Sequence, residues 1–241
     1  MLAKTIAVTA GGSCRRLHNR VRQYGALASG KQLLRVLVRR AYGSQTKLVF
    51  VMPDFSGYAF QHPGIVSLTN GRVTRAVEAG ELSAETARLL SGFLAEGSAG
   101  ICAEVDGCLA GYAWVQRGGE YRFGYAGRLM IPPGYAVAKN LFVFPKFRGK
   151  RLARKLNEAR LTLIPAGTIP VVLIIPDNRY AIRNWEPLGF RRVAEVTHSR
   201  WMDGPWQTSI RTLADLPEAT PIISALQKAE FSGMPVRMEA R

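Results

Sequence analysis

The sequence predicts an α/β fold, and three stretches carry that prediction. Residues 100–105 and 108–115 read as a hairpin joined by Asp106-Gly107, because Asp-Gly favours the type I′ turn, whose two central residues take positive φ. Residues 171–175 form a short, apolar, β-branched run of the kind buried on both faces of a sheet. Between these lies a strand over 135–144, a basic turn, and a helix from about 150 to 163. Leu152, Leu156, Ala159 and Leu163 share one face of that helix.

The other elements follow in order. Residues 47–52 read as a strand ended by Pro53, and two helices follow near 71–79 and 83–95. Ser83, with Glu85 in the first turn, opens the second. Residues 118–134 are rich in glycine and aromatics. A helix over Arg179–Trp185 stops near Pro187 and Gly189. Two strands flank the turn Met202-Asp203-Gly204-Pro205, and a helix near 221–230 precedes a short tail. Residues 30–42 read as a basic helix with Leu33, Leu34, Leu37, Val38 and Ala41 on one face. That face either packs on the domain or rests on an anionic membrane, where each basic residue adds ~1 kcal/mol. The expected division is a basic N-terminal extension (1–45), a main domain (46–212), and a C-terminal helix and tail (213–241).

Composition narrows the class. The chain has 241 residues, 47% of them hydrophobic, enough for one substantial core, and no apolar run near the ~20 residues of a membrane-spanning helix. Its net charge is +16, yet ten Lys or Arg and no acid precede Asp54, so affinity for a polyanion belongs to the leader rather than the main domain. Residues 1–30 lack the apolar core and cleavage site of a secretory signal. An acid-free, Arg-rich leader also has the composition of an organellar targeting segment. Cys14, Cys102 and Cys108 show no zinc-type clustering. With a two-residue turn, Val105 faces Cys108 and Cys102 faces Gly111. Cys102 and Cys108 then lie on opposite sheet faces, which rules out a disulfide between them. A reducing, cytoplasmic setting is the simplest reading.

The chemistry centres on Asn140-Leu141-Phe142-Val143-Phe144-Pro145-Lys146-Phe147-Arg148-Gly149-Lys150-Arg151-Leu152-Ala153. A helix N-terminus offers unpaired N–H groups and partial positive charge, which suit a pyrophosphate. Gly149 lets backbone approach a ligand, and six of the ten residues from 146 to 155 are basic. A nucleic-acid or localisation patch is the alternative for such a run. A solvated patch, however, does not need an apolar strand before it and a leucine-faced helix after it.

This stretch resembles motif A of the GNAT acetyltransferase superfamily, Arg/Gln-x-x-Gly-x-Gly/Ala. Arg148 and Ala153 match its ends, and Arg151 stands where the middle glycine is expected. Asn178, Ala181, Gly189 and Phe190 fall in register with motif B, Asn-x-x-Ala-x-x-x-Tyr-x-x-x-Gly-Phe, with Trp185 at the tyrosine position. With the preceding hairpin, the resemblance covers roughly 100–212. It implies a GNAT-type acyl-CoA N-acyltransferase fold, with a central mixed sheet splayed between the strands at 135–144 and 171–175 and flanked by helices. It implies acetyl-CoA, or another acyl-CoA, as cosubstrate, with no metal, and a small amine acceptor. A homodimer is compatible with it. The cofactor would be held by Leu141, Phe142, Val143, Arg148, Gly149, Lys150, Arg151, Leu152, Ala153 and Asn178, with Trp185 at the cleft wall.

Proton handling is less familiar. Residues 121–157 contain no Asp or Glu, Lys139 and Asn140 occupy the neighbourhood of the usual base, and an indole at 185 is no acid. Three readings stand open. Tyr180, Tyr135 or Glu104 manages the proton through water; the base belongs to the acceptor or to a loop, with His62 and His198 as candidates; or the domain binds acyl-CoA without transferring the acyl group. The cluster Tyr121, Arg122, Phe123, Tyr125, Arg128 and Tyr135 is either the acceptor side, favouring a flat, anionic acceptor such as a nucleotide-linked amino sugar, or a β-rich insertion packed by its aromatics.

Overall fold

The computed structural model describes residues 42–59, 62–124, 127–202 and 204–231. The chain divides into two compact units, residues 1–44 with 199–207, and residues 45–198 with 208–241. In the described part of the smaller unit, the Arg200 guanidinium lies over the Trp206 ring at 5.3 Å. Most of the helix expected at 30–42 lies outside the described residues, as do Cys14, Tyr125 and Asp203; Tyr42 is already the first residue of a strand.

Eleven strands and five helices are described, in chain order. They are β1 (Tyr42–Val51), β2 (Ile65–Ser67), α1 (Asn70–Glu78), α2 (Ala84–Ala95), β3 (Ala99–Val105), β4 (Cys108–Gln116), β5 (Glu120–Phe123), β6 (Gly127–Met130), β7 (Tyr135–Val143), α3 (Leu152–Leu161), β8 (Ile169–Ile174), α4 (Arg179–Trp185), β9 (Arg191–Trp201), β10 (Gln207–Thr212), α5 (Thr220–Gln227) and β11 (Glu230–Phe231). Eight strands form a mixed sheet in the order β10-β9-β1-β8-β7-β4-β3-β2, and β11-β6-β5 form a small second sheet. Short polar side chains start the first two helices. Thr69 accepts from Arg72 N–H and Ser83 from Thr86 N–H, satisfying donors the helices leave unpaired.

Each face of the large sheet has its own cover. α1 and α2 pack Val73, Ala76 and Leu90 against Cys102, Tyr112 and Trp114. On that same face Ile222 and Leu226 of α5 and the β5–β6 aromatics Tyr121 and Phe123 cover Val137 and Val171. The opposite face carries α3, with Leu156 and Ala159 against Ile101, Ala110 and Ala113, and α4, with Trp185 among Phe50, Val172 and Ile174. No helix among the described residues is long and apolar enough to cross a membrane.

The hairpin forms as expected, with Asp106 at φ 52 and Gly107 at φ 74. Its register differs by one residue. Ala103 pairs with Gly111 and Glu104 with Leu109, so Ala110 is an extra residue on β4 and Cys102 faces Tyr112 instead of Gly111. Cys102 and Cys108 still fall on opposite faces, in different packing clusters, and both are free thiols. Gly111 is fixed by its neighbours, since a Cβ there would stand 2.6 Å from the Phe142 carbonyl oxygen, a backbone atom of the adjoining strand. Gly111→Ala is therefore expected to cost about 1–3 kcal/mol in chemical denaturation.

Candidate active site at the parting of two strands

β7 and β8 run parallel and are paired only from Tyr135–Ile169 to Val137–Val171. Beyond that point β8 continues beside β1 and β7 beside β4, and the two strands part. A bulge sharpens the parting. Tyr112 pairs with Phe142 and Trp114 with Lys139, so β7 uses one residue more than β4, and Asn140 takes φ 47 to accommodate it. Phe144 N–H donates to Ala110 O at 3.0 Å, which makes Phe142, two residues back, face β4 as well. Leu141 and Val143 have the opposite parity, and their backbone groups face the opening. Of the expected trio, Phe142 thus gives its main chain to the ladder, while its ring stacks on Tyr112 at 5.7 Å.

A tight turn over 145–147 leads from β7 to α3, with Phe147 buried beneath it. Arg148 Nε donates to Val143 O at 3.1 Å, tying the turn to the strand end. Gly149 has φ 81 and nothing within 4 Å of a Cβ position. Arg151 precedes α3 at φ 56, ψ 17, a left-handed conformation that glycine adopts most readily. The motif's glycine is absent, and the arginine in its place takes a conformation that glycine adopts without steric cost. No side chain caps α3, so first-turn N–H groups stay open to a ligand. Lys146, Arg148, Lys150, Arg151, Arg154 and Lys155 are all exposed around them. Among the described residues, Arg154 alone of these six is paired with an acid, Glu158, at 2.9 Å.

Asn178 caps α4, its Oδ1 accepting from Ala181 N–H at 3.1 Å. Trp185 is 2% exposed, its ring 4.6 Å from Phe190, with the Arg160 guanidinium 4.4 Å above it. It is placed as core, not as an open cleft wall. Glu104 lies on β3, two strands from β7, and is ion-paired with Arg72. Tyr180 is 83% exposed on α4. His62 Nε2 lies 3.0 Å from Glu158 on α3. His198 is fully buried, bonded to Thr208 and flanked by Phe123 and Phe231, which leaves it no reach to an acceptor. Tyr121 and Phe123 are core residues, and Tyr135 donates to the Glu218 carbonyl at 2.7 Å. Arg122 pairs with Glu120, and Arg128 with Glu120 and Glu230. The described aromatics and arginines of that cluster are thus engaged in packing and ion pairs.

Two cations stand at the opening: Arg160, which the sequence reading missed, and Lys139, which it marked only as occupying the neighbourhood of the usual base. Arg160 is 3% exposed on α3, donating to Lys139 O at 3.1 Å and Asn157 Oδ1 at 2.6 Å. Among the described residues no carboxylate pairs with it. Burial draws its pKa down, but a guanidinium keeps its proton at neutral pH. Its position four residues after Leu156 on the apolar face was the available signal. Lys139 is buried too, its Nζ 2.6 Å from Gln116 Oε1 and 4.3 Å from the Phe93 ring centre. Burial lowers its pKa, opposed by Glu96. No group of three potential ligands placed to hold a metal occurs among the described residues.

Comparison with known proteins fits this geometry. The acetyltransferase (GNAT) family matches residues 71–190, a span running from α1 through the parting strands to the end of α4 and its following turn. No curated protein matches the chain. Among solved structures, a GNAT-family protein from Novosphingobium aromaticivorans is 21% identical, with 66% of each chain covered and a TM-score of 0.45. A tandem GNAT protein from the clavulanic acid biosynthesis pathway is 18% identical, covering 68% of this chain and 55% of that one at TM-score 0.44. A ribosomal-protein-alanine N-acetyltransferase from Brucella melitensis is 18% identical, covering 53% and 83% at TM-score 0.38. The chain spans 66% of the first of these structures and 55% of the second. The family match carries the assignment: the chain belongs to the GNAT family of acetyltransferases.

Proposed function

We propose that the protein transfers an acyl group, in the first place acetyl, from a coenzyme A thioester to an amine on a small molecule. The observation that carries this reading is the parting of β7 from β8 directly before an uncapped, cation-ringed helix N-terminus. The pyrophosphate would sit at α3, and the pantetheine arm would run along the backbone groups of Leu141 and Val143. One N–H there would hold the oxyanion of the tetrahedral intermediate. A nucleotide-linked amino sugar was the acceptor suggested by the cluster around Tyr121, but with those aromatics in the core the acceptor is better described as a small primary amine.

Thermal denaturation with acetyl-CoA tests the cofactor half. At ~100 times its dissociation constant, the ligand is expected to stabilise the protein by about 2.7 kcal/mol. Arg148→Ala should weaken it roughly tenfold, the loss of one charge-assisted contact of ~1.5 kcal/mol. No shift at millimolar acetyl-CoA would sink the proposal. A second reading, binding without transfer, is favoured by one observation, the buried indole of Trp185 at the position of the motif's tyrosine. In that reading a basic segment over 1–45 attaches the protein to an anionic membrane or nucleic acid. Acetyl-CoA binding with no release of free thiol would support it.

A further inference from the structure

We propose that Lys139 is the base that takes the proton from the acceptor amine, and that Glu96 sets the pH at which it does so. The inference rests on the reading that the thioester lies between β7 and β8. α3 and its basic turn cover one face of the sheet. Lys139 pairs with Trp114, so the two side chains share a face, and Trp114 packs on the opposite side under α1 and α2. An arm entering from the α3 side and passing through the opening delivers its acyl end to the face that carries Lys139. One residue, the bulged Asn140, separates Lys139 from Leu141, whose backbone faces that opening.

The amine is held by a built arrangement. Gln116 Nε2 donates to Gly118 O at 3.0 Å and Glu120 O at 2.8 Å, which obliges Gln116 Oε1 to face Nζ. Glu96, just after α2, places a carboxylate oxygen 4.0 Å from Nζ and is itself 47% exposed, giving an outlet to water. The other charges nearby are Glu120 and Arg122 of β5, paired with each other, and Arg160 of α3, bonded to the Lys139 carbonyl. β4 contributes only neutral groups there, Gln116 and Trp114. Burial favours the neutral amine and Glu96 the ammonium. No carboxylate occurs in residues 121–157 to do this work instead.

As the acceptor nitrogen bonds to the thioester carbonyl carbon, its proton passes to neutral Nζ. The tetrahedral intermediate collapses with cleavage of the C–S bond, and the thiolate leaves and takes a proton from water. The Lys139 ammonium then returns its proton to water on the Glu96 side.

The test has two arms. In protein carrying 13C,15N-lysine, with Lys139→Arg identifying the resonance, Lys139 is expected to titrate below the ~10.4 of a free lysine. Glu96→Gln should move it lower still, because the charge favouring the ammonium is gone. This arm needs no acceptor. In the second, thiol release from acetyl-CoA is followed against pH with glucosamine, spermidine or alanine amide. The ascending limb of kcat/KM should move to lower pH in Glu96→Gln. Lys139→Gln and Lys139→Arg should each lose about 10²–10⁴-fold in kcat/KM while still being stabilised by acetyl-CoA. Arginine keeps the positive charge but gives up no proton, so it separates a base from a structural cation. An ordinary Lys139 titration, an unmoved limb in Glu96→Gln, or full turnover by Lys139→Arg overturns the proposal. If Lys139→Gln does not fold, the half-exposed Glu96→Gln decides alone. A wild-type protein that acetyl-CoA does not stabilise overturns the cofactor reading itself, a result distinct from a stabilised Lys139→Arg with full turnover.

Discussion

Trp185→Ala is expected to lower the free energy of unfolding by about 3–5 kcal/mol, the range for truncating a buried large aromatic side chain. The indole is almost wholly enclosed, and two groups lose their partner with it. Phe190 loses an edge-to-face contact at 4.6 Å, and the Arg160 guanidinium loses the ring beneath it at 4.4 Å. The second loss matters because that buried cation has no paired carboxylate among the described residues, so the ring is part of what compensates its burial. For a chain of this size each kcal/mol moves Tm by about 2–4 °C, so a drop of roughly 10 °C is expected. Urea unfolding should show a lower midpoint with an unchanged slope. A loss below about 1 kcal/mol would return the indole to the cleft wall, where ligand rather than core would hold it.

The second large effect is on the acid side. His198 is buried between Phe123 and Phe231, and burial, with Lys47 adding to it, pushes its pKa down to about 4. The unfolded chain binds this proton near pH 6.5, while the folded one resists until about 4. Between those values the unfolded state holds more protons, so stability falls as pH falls. The contribution is present above pH 6.5 and is lost progressively down to about 4, amounting to roughly 3 kcal/mol. His198→Gln removes the imidazole, so the difference in unfolding free energy between pH 7 and 4.5 should shrink against wild type. Equal pH dependence in the two proteins would show that the imidazole is not buried in its neutral form.

Much of this was legible in the sequence because periodicity reports which face is buried. The two helices after β1, the Asp106-Gly107 hairpin, α3, β8 and α4 all lie close to where their patterns put them. The hairpin register was not legible, because an extra residue at Ala110 leaves no mark on the turn that otherwise sets it. β2 is three residues long and β11 two, too short to show a period, while β5 and β6 lie in the glycine- and aromatic-rich stretch for which a β-rich insertion was one of two readings. The cofactor side was readable from Arg148, Gly149 and the leucines of α3. The acceptor side was not. Of the two readings of the cluster around Tyr121, acceptor platform or packing, the described residues take the second, and Lys139, at the end of a continuous apolar run, drew notice only as a non-acid. Whether a lysine in such a strand is solvated or enclosed depends on Phe93 and Gln116, which are distant in sequence.

Three register pairs join β7 to β8, and they are the whole seam between the two halves of the large sheet. Such a seam leaves two leaves sharing only a short backbone edge, held otherwise by side chains packed across it: Val137 with Val171 on one face, and the Arg160 guanidinium between the Lys139 carbonyl and the Trp185 ring. An arm laid along Leu141 and Val143 would supply the missing rungs from one side, splinting the leaves into a single plate. On the proposed function the donor molecule would be a building material before it is a reactant, and its departure after transfer would loosen the cleft through which the next one enters.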